Sequence, residues 1–285
     1  MTVWPAPAKV NLFLHVTGRR ADGYHLLQTV FQFLDFGDEL RFFPTVDGAI
    51  RHAAVPTGLE AEDLCVRAAR RLQAQSGCRQ GAEITLVKRI PLGAGLGGGS
   101  SDAATTLLAL NRLWGLDWPL ARLAEIGLAL GADIPVFVHG HAAWAEGVGE
   151  RLTPIELACP WFVVLVPPVH VSTVEIFSDP GLTRNTAPIT ILDFHAGRVG
   201  NDLAAVVRRR YPQVDQAFSW LGQFGEARMT GSGASVFVTV STEREAQAIV
   251  ARSPAGCFAF VASGLNEHPI HRHYNVVADW GVAKR

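Results

Sequence analysis

Apolar and polar residues alternate along Lys9–Val16 (KVNLFLHV), the period of a half-buried strand. A polar loop rich in turn residues follows (GRRADGYH), and Leu26–Leu34 and Glu39–Phe43 continue as two further strands. The period then changes. In Asp63–Gln75 the residues Leu64, Ala68 and Leu72 stand four apart, on one face of an amphipathic helix. Ala82–Val87 predicts a strand, Asp102–Trp114 a strongly apolar helix and Leu120–Leu130 another. In the second half, the apolar run Trp161–Val166 stops at Pro167 and Pro168 and reads as a buried strand. Asn201–Arg210 and Val214–Phe224 predict helices, Arg228–Val240 a glycine turn running into an alternating strand, Glu243–Arg252 a helix and Phe258–Ser263 a last strand. This mixture predicts an α+β protein of two lobes in close contact, residues 1–157 and 158–285, divided near Pro160.

The bulk composition narrows the function classes. With 285 residues, 48% of them hydrophobic, the chain can bury a sizeable core, and its formal net charge is −1. A protein that binds a phosphate backbone normally shows a Lys/Arg patch. The one dense basic cluster, Arg208–Arg210, reads as a solvated helix face, so no nucleic-acid partner is expected. Cys65, Cys78, Cys159 and Cys257 are far apart and lack CxxC spacing, which fits reduced thiols rather than a disulfide framework or a zinc site, and no metal site is assigned. The N-terminal segment has no basic region before an apolar stretch, and no apolar run approaches the ~20 residues of a membrane span. The expected location is the cytoplasm, with no membrane partner.

Candidate chemistry concentrates in Pro91-Leu92-Gly93-Ala94-Gly95-Leu96-Gly97-Gly98-Gly99-Ser100-Ser101, between a predicted strand and a predicted helix. Glycine allows positive φ and close approach of a ligand to the main chain. Successive N–H groups then face one concavity, and the following helix adds its orphan donors and the positive end of its dipole. Such a loop binds a polyphosphate, with the Ser100 and Ser101 hydroxyls as further donors. The Gly-Lys-Ser/Thr ending of a P-loop is absent. Gly93, Gly95 and Gly98 satisfy the dinucleotide fingerprint G-x-G-x-x-G, but the loop does not follow the first strand, and the downstream acid, Asp117, lies beside Trp118-Pro119 in a predicted turn. A plain turn needs about one or two glycines, not five in seven positions.

Three segments in order resemble the GHMP kinases, the family of galactokinase, homoserine kinase, mevalonate kinase and phosphomevalonate kinase: PAPAKVNL at Pro5–Leu12, PLGAGLGGGSSDAA at Pro91–Ala104, and MTGSGASVF at Met229–Phe237. The resemblance implies a two-lobed kinase fold with ATP and substrate in the cleft between the lobes. Magnesium is expected with the ATP, and the second glycine turn is expected to pack against the phosphate loop. The segments Ala8–Leu40 and Leu130–Glu150, with the ADGYH element at Ala21–His25, are similar to one branch of that family. That branch phosphorylates the 2-hydroxyl of a methylerythritol unit carried on cytidine diphosphate, in the non-mevalonate isoprenoid route.

Roles follow from that resemblance. Asp133, in GADIPVF between glycine and proline, corresponds to the base that takes the substrate hydroxyl proton; by itself it reads equally as a turn aspartate. Lys9 corresponds to the lysine beside that base, where a cation keeps the carboxylate ionised. Asn11 shares the face of Lys9 and can offer both donor and acceptor to substrate. Tyr24 and Phe177 correspond to a cytosine stack and His25 to the hydrogen bond on the base edge, with Phe31, Val148 and Thr173 as further substrate-lining positions. The family's adenine-contacting asparagine has no counterpart: Glu62-Asp63-Leu64 is one residue shorter, leaving Asp63 or main-chain groups for that contact. Ala94 stands where glycine is usual, which requires negative φ there.

Overall fold

The computed structural model describes residues 2–54, 63–197 and 199–274, with the side chains of 272–274 excepted. The opening alternation becomes a long strand, β1 (Trp4–Arg19), antiparallel to an even longer β2 (His25–Thr45). β1 is buried on both faces rather than one, because its side chains feed separate apolar clusters: Ala6 joins the first, Val10 another, Leu14 and Val16 a third, and Phe13 a fourth. Register shifts between Pro7 and Lys9, and again after Asn11, re-aim its side chains, as bulges do. β2 joins the two strands predicted at Leu26–Leu34 and Glu39–Phe43. The polar stretch between them stays in the ladder, with Gly37 opposite Pro7 and Asp38 opposite Ala6. The Asp38 side chain is buried and accepts the N–H groups of Arg89 and Ile90, at 2.5 and 2.8 Å.

The remaining elements of the first half are β3 (Ile50–His52), α1 (Leu64–Ser76), β4 (Gly81–Val87), α2 (Gly98–Leu113), α3 (Leu120–Leu128), α4 (Ile134–His139), β5 (Ala143–Glu146) and β6 (Arg151–Pro154). The second half supplies β7 (Trp161–Val166), α5 (Thr173–Ser178), α6 (Ile191–His195), α7 (Ala204–Arg210), α8 (Pro212–Leu221), β8 (Arg228–Met229), β9 (Val236–Val240), α9 (Glu243–Val250), β10 (Phe258–Leu265) and α10 (Pro269–Tyr274). The short β3, α4, β5, β6, α5, α6 and α10 were not anticipated, since three to six residues carry too little periodicity.

The described strands run β3-β4-β2-β10-β7-β9-β8, with β1 and β5 also on β2 and β6 on β5. β10 spans both halves. Residues 258–263 pair with β7, while Gly264 and Leu265 pair with Leu34 and Phe33 of β2. α1 to α4 cover the first-half strands through a cluster that includes Leu72, Leu107, Phe137 and Ile84, and α7 to α9 cover the second through Val207, Val214, Val238 and Ile249. Each such fully buried large aliphatic or aromatic side chain contributes about 1.5–3 kcal/mol. β1 runs into both: its Leu14 bridges Asn201, and its Val16 N–H donates to Asp202 Oδ2 at 2.7 Å. Among the described residues no helix is long and apolar enough to cross a membrane.

Candidate active site

The glycine run is both loop and helix. α2 begins at Gly98, four residues before the predicted start, so Gly98 to Ser101 form its first turn. Glycine and serine have low helix propensity, but in a first turn most N–H groups lack an intrahelical partner in any case. The N-cap is Gly97 at φ 71°, with no side-chain cap; the Ser101 N–H donates to Gly97 O at 2.8 Å, and no capping side chain takes the N–H groups before it. Gly93 and Gly95 also take positive φ (68° and 74°), whereas Ala94 does not, which meets the condition for alanine there.

The second glycine turn holds this loop in place. Ser235 donates to Ala94 O from both its N–H (3.2 Å) and its hydroxyl (2.6 Å). A Cβ on Gly95 would stand 2.6 Å from Gly233 O and 2.8 Å from Thr230 O. From below, the Lys9 N–H donates to Leu96 O at 2.9 Å, and a Cβ on Gly97 would meet Lys9 Cγ at 2.9 Å.

A cavity of about 700 Å³ opens at this junction. From the loop its wall takes Gly95, Gly97 and Ser100. Ala94 and Leu96 point into an apolar cluster, so these meet a ligand only through main chain, and Ser101 is fully buried with its N–H donated to Gly97 O at 2.8 Å. Leu92 is exposed, and Pro91, Gly93, Gly98 and Gly99 also lie outside the wall.

Lys9 and Asp133 meet in the wall of the cavity. Asp133 occupies the N-cap position of α4, ahead of a first turn containing Pro135, yet its side chain makes no cap hydrogen bond. Its Oδ2 lies instead 3.1 Å from Lys9 Nζ. The lysine, predicted on a half-exposed strand, is only 3% exposed. A charge so enclosed must be paired. Lys9 Nζ also donates to Asn11 Oδ1 at 2.6 Å and lies 5.1 Å from the centre of the Phe31 ring. Asn11 in turn donates to Thr29 Oγ1 at 2.9 Å, and its main-chain N–H donates to Thr230 Oγ1 at 2.9 Å. One acceptor and one donor of the Asn11 amide are thus committed to the protein, leaving its second N–H for a ligand.

The far end of the cavity carries the other expected residues. Tyr24, 65% exposed, stands at its rim. The His25 and Phe177 rings are 4.9 Å apart and inclined by 33°. Burial, then the positive charges of Arg184 and Arg19, hold the His25 imidazole below the usual histidine range. Thr173 lies 2.6 Å, hydroxyl to hydroxyl, from Ser232 of the second glycine turn, and Val148 completes the wall. The wall therefore gathers Lys9, Asn11, Tyr24, His25, Phe31, Asp133, Val148, Thr173 and Phe177 from both halves of the chain.

Sequence patterning did not single out Thr29 or the group beneath the loop. Lys88 Nζ bridges Asp38 Oδ2 (2.5 Å) and Asp102 Oδ2 (2.8 Å), and it would lie 3.2 Å from a Cβ on Gly98. Burial pushes the Asp102 carboxyl well up and Asp38 adds to this, against the pull of Lys88. Burial acts to lower Lys88, but the two carboxylates win and raise it. Lys88 sits in an ordinary-looking strand end, VKRIP, where charge alone gives no signal. Asp63 has a structural position: its Oδ1 accepts the N–H groups of Cys65 and Val66 as the α1 cap and lies 3.1 Å from His52 Nε2. Its neighbour Glu62 is outside the described residues.

Similarity to known proteins shows the family. Residues 63–141 match the profile of the GHMP kinases N terminal domain, and residues 191–257 that of the GHMP kinases C terminal. A 4-diphosphocytidyl-2-C-methyl-D-erythritol kinase of Pseudomonas syringae pv. tomato is 55% identical over 96% of this chain and 98% of its own. A crystal structure of 4-(cytidine 5'-diphospho)-2C-methyl-D-erythritol kinase, 33% identical, superposes with a TM-score of 0.81 over 92% of this chain and 99% of that one. A mevalonate kinase structure, 16% identical, shares the fold with a TM-score of 0.66 over 94% of this chain and 100% of its own. This chain belongs to the GHMP kinases and, within them, to the 4-diphosphocytidyl-2-C-methyl-D-erythritol kinase family.

Proposed function

We propose that this protein transfers the γ-phosphoryl group of ATP to the 2-hydroxyl of 4-diphosphocytidyl-2-C-methyl-D-erythritol, giving the 2-phosphate and ADP. The observation that carries the reading is that the Lys9–Asp133 pair lines the same cavity as the glycine loop and the aromatic residues Tyr24, His25 and Phe177. Phosphoryl transfer needs an oriented nucleophile, a path for its proton and neutralisation of charge on the moving group. Asp133 takes the hydroxyl proton as the oxygen attacks phosphorus. Lys9, paired with Asp133 at 3.1 Å, holds that carboxylate in place and offsets the charge of the attacking oxygen as it develops.

Main-chain N–H groups between Gly93 and Ser100 bind the ATP phosphates, helped by the dipole of α2, while buried Ser101 closes the first turn of that helix. A magnesium ion accompanies ATP in this reading. Among the described residues no group of three or more His, Cys, Asp or Glu side chains could hold a metal, so the phosphates themselves supply most ligands. The Ser100 hydroxyl, in the cavity wall, is the loop group suited to join them. Tyr24 and Phe177 stack on the cytosine, which is worth ~1–3 kcal/mol per base; His25 bonds its edge, and Asn11, Phe31, Val148 and Thr173 line the sugar alcohol. Residues 1–157 form the lobe with the phosphate loop and 158–285 the lobe with the second glycine turn, a division supported by the separate apolar clusters. The enzyme works in the cytoplasm in this reading, where the four free cysteines remain thiols.

A coupled ADP-release assay tests the assignment. ADP appears with the cytidyl substrate and not with mevalonate, galactose or homoserine. Release with one of those three alone overturns the assignment.

A further inference from the structure

Arg184 lies between α5 and α6, in a stretch (Asp179–Thr190) without predicted structure, and all its reach is used at the aromatic end of the cavity. Its Nε donates to His25 Nε2 at 3.2 Å and its Nη1 to Leu182 O at 3.1 Å. Its Nη2 donates to Phe177 O and Asp179 O, both at 2.8 Å. The guanidinium thereby connects His25, from the start of β2 in the first half, with the C-terminal end of α5 in the second.

The first of these bonds fixes more than a position. A guanidinium has donors only, so the nitrogen it meets must be an acceptor. A neutral imidazole with an accepting Nε2 carries its proton on Nδ1. Burial and the charges of Arg184 and Arg19 disfavour protonation of His25, so the neutral ring is the form present near neutrality. The other bonds satisfy carbonyls at the end of a six-residue helix, where the last turn has no intrahelical donors to offer. They hold the Phe177 main chain, and with it the ring 4.9 Å from His25.

We infer that Arg184 is a positioning residue that sets base specificity, fixing His25 as an Nδ1–H donor and holding Phe177 beside it so that the site selects cytosine over uracil. The inference rests on the proposed cytosine reading of this wall. Cytosine presents an acceptor at N3, whereas uracil presents an N–H there. A ring with one fixed donor pairs with the first and opposes the second, and an opposed buried donor weakens binding by tenfold or more, about what a lost hydrogen bond costs. A histidine free to exchange tautomers could adjust to either base.

Long-range 15N–1H spectra of the imidazoles in the full chain, with His25 assigned by its loss in His25→Ala, test the first half of the inference. His25 carries its proton on Nδ1 in the wild type and shifts towards Nε2–H in Arg184→Met. Calorimetry with CDP and UDP tests the second: Arg184→Met loses about tenfold in CDP preference, and its KM for the cytidyl substrate rises while that for ATP holds. Arg184→Lys keeps a donor near the ring without the fork to three carbonyls, so it retains the tautomer better than Arg184→Met. An Nε2–H tautomer in the wild type overturns the inference without any variant, as does an unchanged CDP/UDP ratio in Arg184→Met when His25→Ala has lost CDP affinity. If His25→Ala binds CDP as well as the wild type, the cytosine reading itself falls.

Discussion

The Asp133 carboxylate lies 3.1 Å from Lys9 Nζ although Asp133 heads a helix whose first N–H groups its side chain could cap. An N-cap bond is worth about 1 kcal/mol, so its absence marks a side chain directed elsewhere. Asp133→Asn keeps the shape and removes the proton acceptor. It is expected to lower turnover by about 10²–10⁴-fold, the usual contribution of a general base, while titration calorimetry still reports ATP binding. Full turnover in the variant would remove Asp133 from this role.

The contact between the two glycine turns gives a second prediction. Gly95→Ala places a methyl group 2.6 Å from Gly233 O at φ 74°, so the phosphate loop must shift. Displacements of about 1 Å cost on the order of 10²-fold in rate, and a loss of that size in kcat/KM for ATP is expected. Gly77→Ala, at the C-cap of α1 with open space around it, is the comparison and leaves activity intact.

Lys88 and its two aspartates give a third. Burial, with Asp38 adding to it, pushes the Asp102 carboxyl well up against the pull of Lys88, towards the neutral form that asparagine imitates. Asp102→Asn should therefore unfold in urea within about 1 kcal/mol of the wild type. Lys88→Met leaves Asp38 buried without its cation and should cost about 3–5 kcal/mol. Equal costs for the two variants would show that Asp102 is ionised.

The His52–Asp63 pair at the start of α1 gives a fourth, through pH. The Asp63 hydrogen bond raises His52 above its usual range. Burial alone would raise Asp63, but His52 and the two capped amides outweigh it and hold Asp63 low. The pair therefore stabilises the fold above the Asp63 value, and the His52 share is lost as pH rises through its raised value. The melting-temperature advantage of wild type over His52→Gln should shrink between about pH 6 and pH 8. A difference constant across that range would mean that the two groups do not communicate.

Part of this site was legible in the sequence because its chemistry is local. The glycines of the loop are a pattern within a few positions, whereas Asp133 and Lys9 stand out only through the resemblance to the GHMP kinases. Longer-range features were not. The pairing of Gly264 with Leu34 continues β10 beyond its predicted end, and no period encodes it. β1 reads as half-buried because alternation cannot reveal that a second half of the chain will cover its polar face. Arg184 and Lys88 act through partners 159 and 50 positions away, and a single sequence gives no sign of such pairs. Asp63, offered alongside main-chain groups for the adenine contact, caps α1 and lies against His52, a partner 11 positions back that the sequence pattern does not show.

Ala94, Gly95 and Leu96 are anchored by β1, near the start of the chain, and by Thr230 and Ser235, well over a hundred residues downstream. During synthesis the loop leaves the ribosome long before its second anchor exists. Domains form in the order in which they are made, so the first half must wait with an unbraced nucleotide site until the last quarter of the chain arrives. Truncated or stalled chains thus carry the whole phosphate-binding motif without the means to hold it in shape, and competence for ATP is acquired last, together with completion of the fold.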